Sequence, residues 1–178
     1  MSGIVFISGE IVDLCVLEKK RHLDKVVEWE NDQTVNNFLE FGGISPVSKY
    51  TREEWLEEQE REEKEVNFAI ETKENNDFVG IIGLHQINWL SRTAISKVVI
   101  GNREEWGKHY ATDAGKLLVN YGFRHLNLHK IYTYIIAENK GSLKAAKNAG
   151  YTEEAILKDH VFKNGSYRNV AVYSIFQQ

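Results

Sequence analysis

Cysteine and proline each occur once in 178 residues, as Cys15 and Pro46, and both scarcities exclude something. A single cysteine cannot build an intramolecular disulfide framework. Its setting in an alternating apolar stretch, Val12, Leu14 and Val16, predicts an ordinary strand residue in a reducing, cytoplasmic compartment. With one proline, no serine- or glycine-rich linker and no fixed-period repeat, no domain boundary is legible, so residues 1–178 are expected to form one domain. No apolar run reaches the length of a membrane span, and Met1 to Glu10 lacks the basic segment and apolar core of an export signal. Excess positive charge is also missing: a formal charge of −4 and a pI near 5.9 argue against a nucleic-acid binder. That mild acidity is a weak bias toward an amine-bearing partner.

What is present is an ordered series of short periodic segments. Val12 to Leu17 alternates like a strand, and His22 to Glu30 predicts a short helix with Leu23, Val26, Val27 and Trp29 on its apolar side. Asn31 to Pro46 reads as loop. Thr51 followed by Glu54 matches a capping box, predicting a helix to about Lys64. Its glutamates Glu53, Glu54, Glu57, Glu58, Glu60, Glu62, Glu63 and Glu65, interrupted by Arg52, Arg61 and Lys64, suit a solvated face or a docking surface for a basic substrate. Three strand-like runs follow, Val66 to Glu71, Phe78 to Trp89 and Thr93 to Ile100, joined by hairpin-like connections into an antiparallel meander. Ala111, Ala114, Leu118, Tyr121 and Gly122 then recur at helical spacing to about Leu126. Lys130 to Ala137 is a strand, and Gly141 to Ala149 a helix ended by Gly150. Two final strands, Ala155 to Phe162 and Tyr167 to Phe176, flank the tight-turn signal Asn164-Gly165. The fold class is therefore mixed α/β.

Residues 99–112 read VIGNREEWGKHYAT: a strand, a turn and the start of an amphipathic helix. Such a turn exposes unpaired backbone N–H groups where the helix dipole adds positive potential, which suits phosphate.

Several blocks carry a resemblance to a known family. Trp106, Gly107, Lys108, Tyr110, Ala111 and Thr112 match a turn reading approximately Trp-Gly-Lys-Gly-Tyr-Ala-Thr. Leu126-Asn127-Leu128-His129-Lys130-Ile131, Glu138-Asn139-Lys140-Gly141-Ser142, Gly150-Tyr151 and the hairpin from Phe162 to Tyr167 follow in order. The segment from Phe78 to Phe176 thus resembles the GNAT superfamily of N-acetyltransferases, in particular its RimJ/RimL-like branch of ribosomal-protein N-terminal acetyltransferases. The resemblance implies a single mixed, mostly antiparallel sheet of about six to seven strands flanked by helices. It also implies a V-shaped opening between the fourth and fifth strands, the strand ending at Ile100 and the strand starting near Lys130. Acetyl-CoA, the acetyl donor, would lie in that opening. Val99 and Ile100 would contact pantetheine, the N–H groups from Trp106 to Thr112, His109 included, would hold the pyrophosphate, and Asn139 and Ser142 would reach the pantetheine and thioester end. Asn139 as a turn residue and Ser142 as a helix start are the duller readings.

Three positions depart from the family pattern. His109 stands where glycine or alanine is usual, which strains the backbone if φ is positive, or else lets the ring pack over the phosphates. Ile95 occupies the place of a glutamate that assists amine deprotonation, and Ala146 that of a tyrosine that protonates the thiolate. Ser142 becomes the candidate donor to the thiolate, and His85, with a neutral-range unperturbed pKa, the candidate proton relay. His125 and His129, four apart, have no third ligand nearby, so no metal is expected. Tyr132, Tyr134, Tyr151, Trp29, Trp55 and Trp89 belong to the core or the acceptor groove. The expected activity is acetyl transfer to a primary amine of a protein N-terminus, a polyamine or other small amine, or a nucleotide-linked amino sugar, by a monomer or homodimer. The alternative is a catalytically weakened CoA-binding or protein-interaction domain of the same fold.

Overall fold

The computed structural model describes residues 3–40, 43–59 and 63–178. Among them, eight strands form one sheet: β1 (Val5–Ser8), β2 (Val12–Val16), β3 (Val66–Thr72), β4 (Phe78–Asn88), β5 (Thr93–Ile100), β6 (Lys130–Ile136), β7 (Thr152–Lys163) and β8 (Ser166–Phe176). Their order is β1-β2-β3-β4-β5-β6-β8-β7, antiparallel throughout except for the β5–β6 pair. The helices are α1 (Lys19–Asn31), α2 (Gln33–Asn36), α3 (Lys49–Gln59), α4 (Tyr110–Arg124) and α5 (Lys140–Asn148).

The periodic segments fold as their patterns predict, and the departures have local causes. β1 adds a strand beyond the expected six to seven. Its run Ile4 to Ile7 lacks strict alternation because it is an edge strand with mostly exposed residues, anchored by Phe6 stacking on Phe68 at 5.4 Å. The Asn31 to Pro46 stretch is not all loop: Asp32 caps the single turn of α2 by accepting from the Thr34 N–H at 2.7 Å. The Thr51–Glu54 capping box does not start α3. Ser48, three residues earlier, accepts from the Thr51 N–H at 3.2 Å, so the helix begins at Lys49. Glu60, Arg61 and Glu62 lie outside the described residues, while Glu63 and Glu65 are already past the helix. At the last hairpin, Asn164 (φ 49°) and Gly165 (φ 80°) take the two positive φ values that a tight two-residue turn requires.

α4 and α5 cover one face of the sheet. Leu14, Ile70, Leu84, Leu118, Ile131 and Tyr173 are fully buried in that layer. Each aliphatic side chain there contributes about 1.5–3 kcal/mol by leaving water. α1 covers part of the opposite face through a buried polar cluster. Glu71 is 2% exposed and accepts from Arg21 at 2.7 Å and from the Gly3 N–H at 3.0 Å, with His22 Nε2 at 3.2 Å. The Glu18 N–H donates to His22 Nδ1 at 2.8 Å, so the proton of the neutral ring sits on Nε2, aimed at Glu71. Burial pushes the His22 pKa down, which keeps that neutral form. Cys15 is a buried strand residue whose thiol is pushed up to about 12, first by burial and then by the neighbouring Glu71 charge.

Candidate active site

The parallel ladder between β5 and β6 covers only three residue pairs: Thr93 with Lys130, Ala94 with Ile131 and Ile95 with Tyr132. Beyond Ile95, β5 continues to Ile100 paired with β4, and β6 continues to Ile136 paired with β8. The two strands therefore part into a V whose narrow end is Ile95–Tyr132, leaving backbone groups along the gap without ladder partners. Val99 and Ile100 lie on one arm of this V, at its wide mouth. The Ile100 carbonyl is taken, because the Trp106 indole N–H donates to it at 2.7 Å. Trp106 thus shapes the turn by folding back onto the end of β5.

That turn runs from Gly101 into α4. Gly101 has no room for a side chain, since a Cβ there would lie 1.9 Å from the Trp29 ring. Gly107 (φ 83°) and His109 (φ 67°, ψ 7°) both adopt left-handed backbone conformations, and His109 is the N-cap of α4 with no side-chain capping bond. The positive φ considered as a source of strain at His109 is therefore realised. Among the described residues, none of the N–H groups of Gly107, Lys108, His109, Tyr110 and Ala111 makes a backbone hydrogen bond of good geometry, whereas those of Thr112 and Asp113 return to the His109 carbonyl. Five free donors at the start of a 15-residue helix suit an anion. The His109 ring lines an open concavity with Thr112, Lys116, Asn148, Glu10 and Ile11. Lys108 is paired with Glu105 at 2.9 Å, and Asp113, which also lines that concavity, accepts from the Ile11 and Val12 N–H groups at 2.8 and 3.1 Å.

α5 forms the cover on the same face. Asn139 caps it by accepting from the Ser142 N–H at 3.1 Å, so both duller readings, turn residue and helix start, are geometrically present. The register fixes the direction of α5. It leaves β6 at Ile136, by the mouth, and delivers the chain to Thr152, which pairs with Ser174 opposite Tyr132 at the narrow end. Ser142 is thus near the mouth and Ala146 about 6 Å further toward the narrow end, at 1.5 Å rise per residue. Tyr151 is core: its hydroxyl donates to Ser96 at 3.0 Å, and burial pushes its pKa up to about 12.

On the opposite face, His85, Ile95 and Tyr132 form one row across β4, β5 and β6 at the level where the V begins. His85 is 14% exposed, and its Nδ1 lies 3.2 Å from a Glu65 carboxylate oxygen. Burial is the largest influence on the His85 pKa and Lys97 acts in the same direction, so the value is lowered although Glu65 opposes them. Glu40 meets His160 at 3.7 Å, and His160 stacks against Tyr134. No sequence period or motif relates Glu65, Lys97, Glu40 and His160. They arrive from four separate segments, and Glu65 reads there as the tail of an acidic helix. His125 and His129 engage different neighbours, Tyr121 and Phe176. Trp55 packs under the Arg52 guanidinium, and Trp89 is exposed at the β4–β5 hairpin.

Comparison with known proteins converges on one family. Residues 16–152 match the acetyltransferase (GNAT) domain. The chain is 34% identical over 116 residues to the spermidine N(1)-acetyltransferase of Escherichia coli (strain K12), covering 65% of this chain and 61% of that protein. The match therefore spans less than two thirds of that relative's length. It is 33% identical over 147 residues to the probable N-acetyltransferase YjcK of Bacillus subtilis (strain 168), covering 78% and 80% of the two chains. The crystal structure of spermidine N-acetyltransferase from Vibrio cholerae in complex with CoA and spermine superposes with a TM-score of 0.84 at 27% identity, over 93% of this chain and 95% of that one.

Proposed function

The chain belongs to the acetyltransferase (GNAT) family, and from that premise we propose that it acts as one domain transferring the acetyl group of acetyl-CoA to a primary amine. The observation that carries the proposal is the parting of β5 from β6 beside the five free N–H groups at the start of α4. In this reading pantetheine runs along the gap past Val99 and Ile100, and the pyrophosphate rests on the 106–112 turn. Asn139 and Ser142 face the pantetheine arm from α5. Ser142, in the first turn of α5, remains the candidate donor to the departing thiolate.

The acceptor enters from the opposite face, where His85 takes up its proton. The free amine attacks the thioester carbon, the C–S bond breaks, and the electron pair leaves with sulfur. A thiol of ordinary pKa near 8.5 leaves tolerably as thiolate at neutral pH, at a cost of about 2 kcal/mol at pH 7. The absence of a tyrosine at Ala146 is therefore compatible with turnover, with much of the acceleration coming from positioning.

The carboxylates Glu40 and Glu65 on the acceptor face, together with the spermidine acetyltransferases among the relatives, favour a polyamine or other small amine. A protein α-amine, expected from the RimJ/RimL-like resemblance, is the second choice. A reducing, cytoplasmic setting and a monomer or homodimer belong to the same proposal. The second reading, CoA binding without turnover, is motivated by Ile95 and Ala146. Incubation with acetyl-CoA and a panel containing spermidine, peptides with free N-termini and amino sugars, with free thiol as readout, separates them. Thiol release matched by an acetylated amine is expected. CoA binding without release on any amine would favour the second reading, and failure to bind CoA would overturn both.

A further inference from the structure

His85 is not an isolated histidine. β4 carries a bulge just after it, with Gln86 at φ 50° and the register shifting between His85 and Asn88. Bulges of this kind re-aim a side chain. The segment leading into β3 is held against that bulge by the Ile87 N–H donating to the Lys64 carbonyl at 2.9 Å, and Val66 pairs with Leu84. Those contacts set Glu65 beside the imidazole. Because β4 lies between β3 and β5, Glu65 meets the ring at Nδ1 from the β3 side, and Ile95 on β5, at the narrow end of the V, pairs with His85 on the other side.

We propose that Glu65 is a positioning residue that holds His85 as the Nδ1–H tautomer, leaving Nε2 as the proton acceptor for the incoming amine. This rests on the acetyltransferase reading. The dyad takes the place of the carboxylate missing at Ile95, one strand over, in the same cross-sheet row. In the neutral ring only one nitrogen carries the proton, and a carboxylate at Nδ1 selects that nitrogen as donor. The substrate ammonium passes one proton to Nε2. The free amine forms the N–C bond, the C–S bond breaks, and the nitrogen loses its second proton as the thiolate gains one. The net products are the acetamide, free CoA thiol and one proton. The charged groups acting on the His85 ring are Glu65, from the segment before β3, and Lys97, from β5. Burial lowers its pKa most, Lys97 acts in the same direction and Glu65 opposes them; the net shift is downward, so the resting ring is neutral rather than a permanent cation.

The test uses the full chain with acetyl-CoA and spermidine, comparing wild type with Glu65→Gln, Glu65→Ala and His85→Gln. In kcat/KM against pH, the acid limb of wild type should move to lower pH in Glu65→Gln, because the charge that raises the His85 pKa is gone. Its plateau should fall by about threefold to tenfold, and that of Glu65→Ala by about tenfold to a hundredfold as the tautomer is also released. His85→Gln should lose the limb and about a hundredfold or more in rate. An independent readout needs no acceptor: ring ¹⁵N shifts should show His85 protonated at Nδ1 in wild type and Glu65→Gln, and a mixture in Glu65→Ala. An Nε2–H ring in wild type, or an unchanged limb and unchanged ring shifts in Glu65→Ala, would overturn the proposal. If wild type releases no thiol on any amine, the enzymatic reading fails, while the ring shifts still decide the tautomer.

Discussion

Replacing His109 by glycine tests whether the 106–112 turn, proposed to hold the pyrophosphate, works through its backbone or through this side chain. His109 sits at φ 67°, ψ 7°, in the left-handed region. That conformation costs a residue with a Cβ about 1 kcal/mol, toward the low end because histidine is among the more tolerant residues. Glycine removes this cost, but it adds about 0.5–1 kcal/mol of chain entropy to the unfolded state. The difference is a stability change between about 0 and +0.5 kcal/mol, which shifts the melting temperature of a chain this long by no more than about 2 °C. The five free N–H groups from Gly107 to Ala111 are backbone donors and survive the substitution, so CoA affinity should stay within about threefold of wild type. Thermal denaturation and calorimetric titration with CoA measure both quantities. His109→Pro is the opposite control: it locks φ near −65° and deletes one donor, so it should lower stability and affinity together. A loss of tenfold or more in CoA affinity for the glycine variant, about 1.4 kcal/mol, would refute the reasoning and make the ring itself a contact.

Other perturbations follow from the same geometry. Lys97→Met removes the cation that lowers the His85 pKa, so the acid limb of the pH–rate profile should move to higher pH, and KM for spermidine should fall as a like charge leaves the acceptor face. Asp113→Ala leaves the Ile11 and Val12 N–H groups without acceptors where the β1–β2 turn meets α4; urea unfolding should show a loss of about 1–3 kcal/mol. Stability should fall with acid in two stages, read from melting temperature against pH. Burial depresses the His22 pKa, so its contribution is full above the unfolded value of 6.5 and is lost as pH falls through the lower folded value. Burial acts to raise the Glu71 pKa, but the Gly3 N–H, Arg21 and His22 outweigh it and the value is lowered; its contribution is full above 4.5 and is lost below that. His22→Gln should shrink the first stage without abolishing it, because His85 is depressed as well. A melting temperature flat from pH 7 to pH 3 would contradict both assignments.

Local order was legible because it is encoded locally. The alternation in Thr93 to Ile100, the helical spacing from Ala111 to Gly122 and the Asn164-Gly165 turn each reflect a period or a dihedral preference that neighbours in sequence enforce. The 106–112 turn could be nominated as a phosphate site for the same reason: its donors belong to consecutive residues. β1 escaped notice because an exposed edge strand needs no alternation, and α3 began three residues early because Ser48 competed with Thr51 for the capping role. The proposed acceptor face is different in kind. Glu40, Glu65, His85, Lys97 and His160 are scattered over the chain, and no sequence period relates them. Only the sheet register, with β4 between β3 and β5 and the pairing of β5 with β6 stopping at Ile95 and Tyr132, sets His85 beside Glu65 at the narrow end of the V. Sequence by itself determined most of the elements, their order and the backbone donors of the 106–112 turn, because those depend on neighbours along the chain. Tertiary structure alone decided which charges meet, because long-range pairing chooses the neighbours across it.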